Sequence, residues 1–187
     1  PVWLRWLVEL DNPFTRSNRA SFIIGHLGLE PGMAVLDAGC GPGRLTIPLA
    51  REVGENGMVA AVDIQAGMLA RAKEKARKAD LHNIRFILAG LGKGTLERNQ
   101  FDRAVMVTVL GEIPNRQGAL GEVFDSLKPG GILSVTELIF DPPFPAPKHG
   151  SSPGQGRRFC SRKGFRQQDR VYSACPKAFC ARMDHSR

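Results

Sequence analysis

The stretch "VLDAGCGPGRLTIPLA", Val35 to Ala50, decides the fold. An apolar run carries an acid, Asp37, breaks at Gly39, Gly41 and Gly43, and resumes at helical spacing. Buried strand, glycine turn and helix, in that order, open a βαβ unit. Glycine permits positive φ and presents no Cβ, so the turn reads as one against which a ligand lies. The helix beginning near Arg44 offers free N–H groups at the same place.

Downstream, "GMVAAVDI" reads as a second strand and "QAGMLARAKEKARKADL" as a helix of strong helix formers. "NIRFILAG" and "FDRAVMVTVL" are the third and fourth strands. "RQGALGEVFDSLKPGG" is a helix closed by Lys-Pro-Gly-Gly, and "ILSVTELIF" is a fifth strand. Upstream, "VWLRWLVEL" and "RASFIIGHLGLEPG" have helical spacing. Pro48 falls near the middle of the helix after the glycines and is expected to kink it. Strands alternating with helices predict an α/β, Rossmann-like, doubly wound and mostly parallel sheet. Three segments follow: a helical cap over 1–30, the sheet domain over 31–143, and an irregular basic tail over 144–187.

The net charge of +8 suggests nucleic acid, but its distribution argues against that partner. Residues 144–187 hold ten Lys/Arg and two Asp/Glu, which leaves sixteen of each sign in the body. Cysteine divides the same way, with Cys40 in the body and Cys160, Cys175 and Cys180 in the tail. One body cysteine implies a reducing compartment without a disulfide framework. No apolar stretch approaches the ~20 residues that cross a bilayer, and no signal peptide is apparent, so a cytoplasmic location is expected.

G-x-G-x-G alone is a weak signal, because dinucleotide enzymes and nucleotide hydrolases use related loops. Asp63 strengthens it. It ends the second strand, where a carboxylate can accept both hydroxyls of a ribose, although helix capping is an equally ordinary use.

The segments "VLDAGCGPG", "AVDIQAGML", "FDRAVMVTVLGEIP" and "LKPGGILSVTE", in this order and spacing, resemble class I S-adenosylmethionine-dependent methyltransferases. Within that class the chain is similar to the small-molecule branch containing ubiquinone/menaquinone C-methyltransferases. The resemblance implies S-adenosylmethionine as cofactor and a small-molecule methyl acceptor, with no metal. It implies that Gly39, Cys40, Gly41 and Gly43 hold the methionine end, with Asp37 reaching its ammonium. Asp63 would bind the ribose and Ile64 would lie against adenine. The family often places an Asp after the third strand to bond the adenine amine. Here "ILAGLGKG" has no acid, so backbone at Ala89, Gly90 and Leu91 would serve. Thr108 and Leu110 would border the transfer site, and Glu112 is a candidate substrate contact or base. The Trp3/Trp6 helix and "DNPFTRSN" are expected to form a lid.

Two alternatives stand beside this reading: an NAD(P)-dependent oxidoreductase and a nucleic-acid-binding module using the basic tail. The first is disfavoured because the loop lacks the G-x-G-x-x-G spacing, with Arg44 in the sixth position.

The family continues after strand five with a helix and an antiparallel strand pair. "SSPGQGRRFCSRKGFRQQDRVYSACPKAFC" shows neither, so a five-stranded sheet without that pair is expected. The cysteine spacings match no paired zinc arrangement. Dropping one base after Lys148 permits "STVRRLARAAGFVVEKGFGNRIAYT", which has a helical period, a glycine stop and strand alternation. A shifted reading frame is therefore the explanation preferred for the tail.

Overall fold

The computed structural model describes residues 20–136, 157–163 and 169–176. The proposed lid lies outside them. In chain order the elements are α1 (Ala20–Leu27), β1 (Ala34–Ala38), α2 (Thr46–Val53), β2 (Met58–Asp63), α3 (Ala66–Lys78), β3 (Ile84–Leu88) and β4 (Phe101–Val107). A 3-10 turn (Leu110–Glu112), α4 (Arg116–Ser126), β5 (Leu127–Thr136), β6 (Arg157–Lys163) and β7 (Asp169–Pro176) follow among the described residues.

β1 to β5 pair in parallel, and the seven strands lie in the order β3-β2-β1-β4-β5-β7-β6. The strands are apolar on both faces because helices cover both. Alternation then sorts neighbours. Val35, Val59 and Val105 pack with Leu45, Leu49 and Val53 of the glycine-turn and α2 side. Leu36, Ala60, Ala104 and Met106 pack with Leu120, Val123 and Phe124 of α4. The chain winds outward from β1 in one direction and from β4 in the other. The carboxyl ends of β1 and β4 thus flank the point where strand order reverses, the usual ligand crevice of such sheets.

The opposite end of the sheet is clamped by polar contacts. Asp102 accepts the Ala34 N–H at 2.9 Å, and Lys128 Nζ donates to both its oxygens at 2.8 and 2.9 Å. Asn83 Nδ2 donates to the Ala50 and Gly54 carbonyls at 2.8 Å each, satisfying the last turn of α2.

Three sequence expectations are corrected. Pro48 is the third residue of α2, in its first turn, where proline is tolerated, rather than near its middle. Lys-Pro-Gly-Gly lies inside β5 rather than closing a helix. The register jumps from Phe101↔Leu127 to Arg103↔Ile132, so the proline and glycines are accommodated in a bulge. The sheet does not stop at five strands. β7 pairs antiparallel with β5, Ile132 opposite Ser173 through Thr136 opposite Asp169, and β6 pairs with β7. The antiparallel pair expected to be missing is supplied by the basic tail.

Candidate functional site

The three glycines after β1 all have positive φ, but they serve different ends. At Gly39 (φ +82°) a Cβ would stand 2.3 Å from Val109 Cγ2, so the loop after β4 closes directly onto this residue. At Gly43 a Cβ would stand 3.0 Å from Ala72 Cβ, a contact that seats the turn on α3. At Gly41 (φ +53°) nothing lies within 4 Å. Gly41 alone among them presents bare backbone to open space; packing explains Gly39 and Gly43.

Two carboxylates flank the turn. Asp37, 3% exposed, accepts a 2.6 Å hydrogen bond from Thr46 Oγ1. Burial pushes its pKa up to about 6, against the opposing pull of Thr46 and Arg44. Asp63 ties the end of β2 to the glycine turn. One of its oxygens accepts the Gly41 N–H at 2.9 Å and the other the Gln65 N–H at 2.8 Å. The second bond is an Asx-type turn leading into α3, whose N-cap is Gln65 rather than Asp63. Cys40 is buried, and its thiol is pushed well above its ordinary range by burial and then by Asp37 and Asp63. It offers no thiolate.

Across the crevice, Thr108 adopts φ +53°. A β-branched residue there is strained, a condition that persists only where surrounding structure holds it. Its N–H donates to the Thr136 carbonyl and its hydroxyl to the Val107 carbonyl, both at 2.8 Å. Glu112 ends the 3-10 turn that follows.

Asp37, Gly39, Cys40, Gly41, Asp63, Thr108 and Glu112 line one cleft of about 240 Å³. Gly43 does not line it. Ile64, Ala89, Gly90 and Leu91 lie outside the cleft. Ile64 is 66% exposed, an unusual position for a large apolar side chain directly after Asp63. Its Cδ1 lies 3.4 Å from where a Gly90 Cβ would be, and the Ala89 N–H donates to the Asp63 carbonyl at 3.1 Å. Ile64 and the segment after β3 therefore form a ledge next to Asp63. Leu110 is corrected: it is 1% exposed in the main core, and Val109 stands at the cleft in its place.

A larger groove of about 490 Å³ runs between α2 and α3, with Arg44, Arg51, Lys75 and Lys78 on its walls. It contains neither carboxylate and no strand end, so its size does not make it the site. Val109, at the cleft, and Thr46, buried behind Asp37, are the unforeseen contributors. A hydroxyl residue in the first turn of a helix is too common to signal a carboxylate partner, and Val109 reads as one more apolar residue after a strand.

Among the described residues no group of acids, histidines and cysteines could hold a metal, and no helix is long and apolar enough to cross a membrane.

Comparison with known proteins finds the family described as "Methyltransferase domain" matching residues 29–173. A ubiquinone/menaquinone biosynthesis C-methyltransferase of Shewanella pealeana is 36% identical over 118 residues, covering 63% of this chain and 47% of that protein. An arsenite methyltransferase of Halobacterium salinarum is 30% identical over 117 residues, covering 63% of this chain and 30% of that one. The chain thus spans less than half the length of these relatives. In fold it is similar to a SAM-dependent methyltransferase from Aquifex aeolicus, with TM-score 0.68, 24% identity, and 91% and 97% of the two chains covered. It is also similar to the [4+2]-cyclase SpnF, with TM-score 0.59, 29% identity, and 63% and 43% covered. Neither the oxidoreductase nor the nucleic-acid alternative gains support from these matches.

Proposed function

Because the chain belongs to the methyltransferase-domain family, we propose that it binds S-adenosylmethionine at the β1/β4 crevice and transfers a methyl group to a small-molecule acceptor. The observation that carries this is the pairing of a buried carboxylate, Asp37, with an open stretch of backbone at Gly41. Burying a carboxylate is costly, the pull of Arg44 and the Thr46 hydroxyl leaves the Asp37 pKa raised, and a ligand ammonium is the group that offsets the rest of the cost. The residues present fit the cofactor: Asp37 takes the ammonium, Gly41 leaves room for the methionine portion, and Asp63 receives the ribose hydroxyls. Ile64 and the backbone of Ala89–Leu91 receive the adenine.

Bound there, the cofactor supplies a methyl group already activated by a sulfonium. The chain's own task is then alignment and exclusion of water rather than covalent chemistry. Val109, packed on Gly39, and the strained Thr108 form the wall against which an acceptor is placed in line. Glu112, which lines the cleft, is the candidate to touch the acceptor or take its proton. The body carries one cysteine, Cys40, rather than a cluster of thiols, which argues against arsenic and favours a small organic acceptor, methylated in the cytoplasm.

Titration calorimetry with S-adenosylhomocysteine and with NAD, followed by a methyl-transfer assay on small acceptors, tests the reading. Binding of the first ligand only, together with labelled methyl appearing in an acceptor, supports it. Binding of NAD only, or of neither, contradicts it. Binding of S-adenosylhomocysteine without any transfer would leave a binding protein of the same fold, an outcome that the SpnF cyclase makes worth measuring.

A further inference from the structure

The segment after β3 lacks the acid that the family often carries, yet it is firmly held. Its holder is Glu122, on α4. One of its oxygens accepts the backbone N–H groups of Gly92 and Lys93, the latter at 3.0 Å. The other accepts those of Thr95 and Leu96, the latter at 2.8 Å, and the Thr95 hydroxyl at 3.2 Å. Four peptide N–H groups and one hydroxyl thus converge on a single carboxylate, 26 to 30 residues away in sequence. Partial burial works against the charge. The converging donors outweigh it and hold the carboxyl below its usual range. Gly92 (φ +86°) brings the loop so close to α4 that a Cβ would stand 3.0 Å from the Ala119 nitrogen.

This loop begins where the ledge ends. Ala89 is fixed to β2 through its bond to the Asp63 carbonyl, and residues 92–96 are fixed to α4 through Glu122. Ala89–Leu91 is a short bridge between two anchors, with Gly90 beside Ile64. Backbone can tell one base edge from another only if its N–H and C=O groups are held in fixed directions, as in any preorganised site. We propose that Glu122 is a positioning residue for base recognition: by gathering the N–H groups of residues 92–96 it sets the backbone of Ala89–Leu91 in the orientation that reads the adenine edge. The inference rests on the cofactor placement proposed above.

The test compares S-adenosylhomocysteine with S-inosylhomocysteine, whose 6-oxo group and N1–H reverse the donor and acceptor pattern of that edge. Wild type is expected to prefer the adenine form. Glu122→Gln keeps the shape but loses the charge that four N–H groups share. It is expected to bind S-adenosylhomocysteine about tenfold more weakly and the inosine form within about twofold of wild type. KM for S-adenosylmethionine should rise by the same factor while kcat stays within about twofold, since nothing at the transfer site changes.

Equal weakening of both analogues marks a merely structural role and overturns the proposal, as does unchanged preference in the folded variant. Failure of wild type to bind either analogue refutes the cofactor placement itself, a separate result. Should that variant not fold, Glu122→Asp, which keeps the charge but draws it back from the loop, is measured with the same two analogues: a loss confined to the adenine form supports the proposal, and equal loss on both or unchanged preference overturns it.

Discussion

Asp37 is a carboxylate with 3% of its surface exposed, one hydroxyl bonded to it, and a pKa raised by burial to about 6. Its folded pKa lies above the unfolded value of 3.8. Its contribution to stability is therefore fully present below pH ~4 and is lost as pH rises through 6, a loss of about 3 kcal/mol by neutrality. Asp37→Asn should raise the melting temperature at pH 7 and flatten this part of the stability profile, measured by calorimetry from pH 4 to 7. The glycines divide more sharply than their common spacing suggests. Gly39→Ala meets Val109 at 2.3 Å and should destabilise by about 2–3 kcal/mol. Gly41→Ala meets nothing within 4 Å. It should lose only about 1 kcal/mol in denaturant melts, from its backbone conformation, while weakening S-adenosylhomocysteine binding. That the turn needed glycine was legible in the sequence. Which glycines served packing and which one faces open space was not, because the difference lies in Val109 and Ala72, residues 70 and 29 positions downstream.

At the scale of elements, the parallel strands were legible because burial on both faces demands continuous apolar runs, and β1, β2 and β4 have them. The ends of elements were less so. Proline and two glycines ordinarily stop a helix and stay out of a strand, yet here a bulge carries them into β5. Glu122 had no local signal at all, since its partners are a loop from another part of the chain. The two ends of the sheet also differ in purpose: site residues gather at the carboxyl ends, and Asp102 with Lys128 holds the other. Asp102→Ala leaves the Ala34 N–H and the Lys128 ammonium without their carboxylate. It should cost about 1–2 kcal/mol in urea unfolding, a figure discounted for the 26% exposure of Asp102, with S-adenosylhomocysteine affinity unchanged.

For the whole molecule, the reversal of strand order between β1 and β4 made the position of the cleft legible before any side chain was placed. The tail was not legible. Its aperiodic, basic sequence gives no alternation, yet it supplies β6 and β7 and so covers the β5 edge. Removing residues 157–187 would uncover the N–H and C=O groups of Ile132–Thr136 and is expected to produce association, visible as heavier species in sedimentation velocity. A shifted frame after Lys148 would lay a different string along that same edge. The gene's nucleotide sequence tests that alternative, and codons that forbid the shifted string end it.

The most direct measurement of the central claim is the affinity of wild type for S-adenosylhomocysteine as a function of pH, from 8 down to 5. If the ligand ammonium is held by ionised Asp37, affinity should be level at neutral pH and fall below pH ~6, approaching tenfold per unit, and Asp37→Asn should bind weakly at every pH. A wild-type profile that stays level through pH 5, or tight binding by Asp37→Asn, would contradict the account.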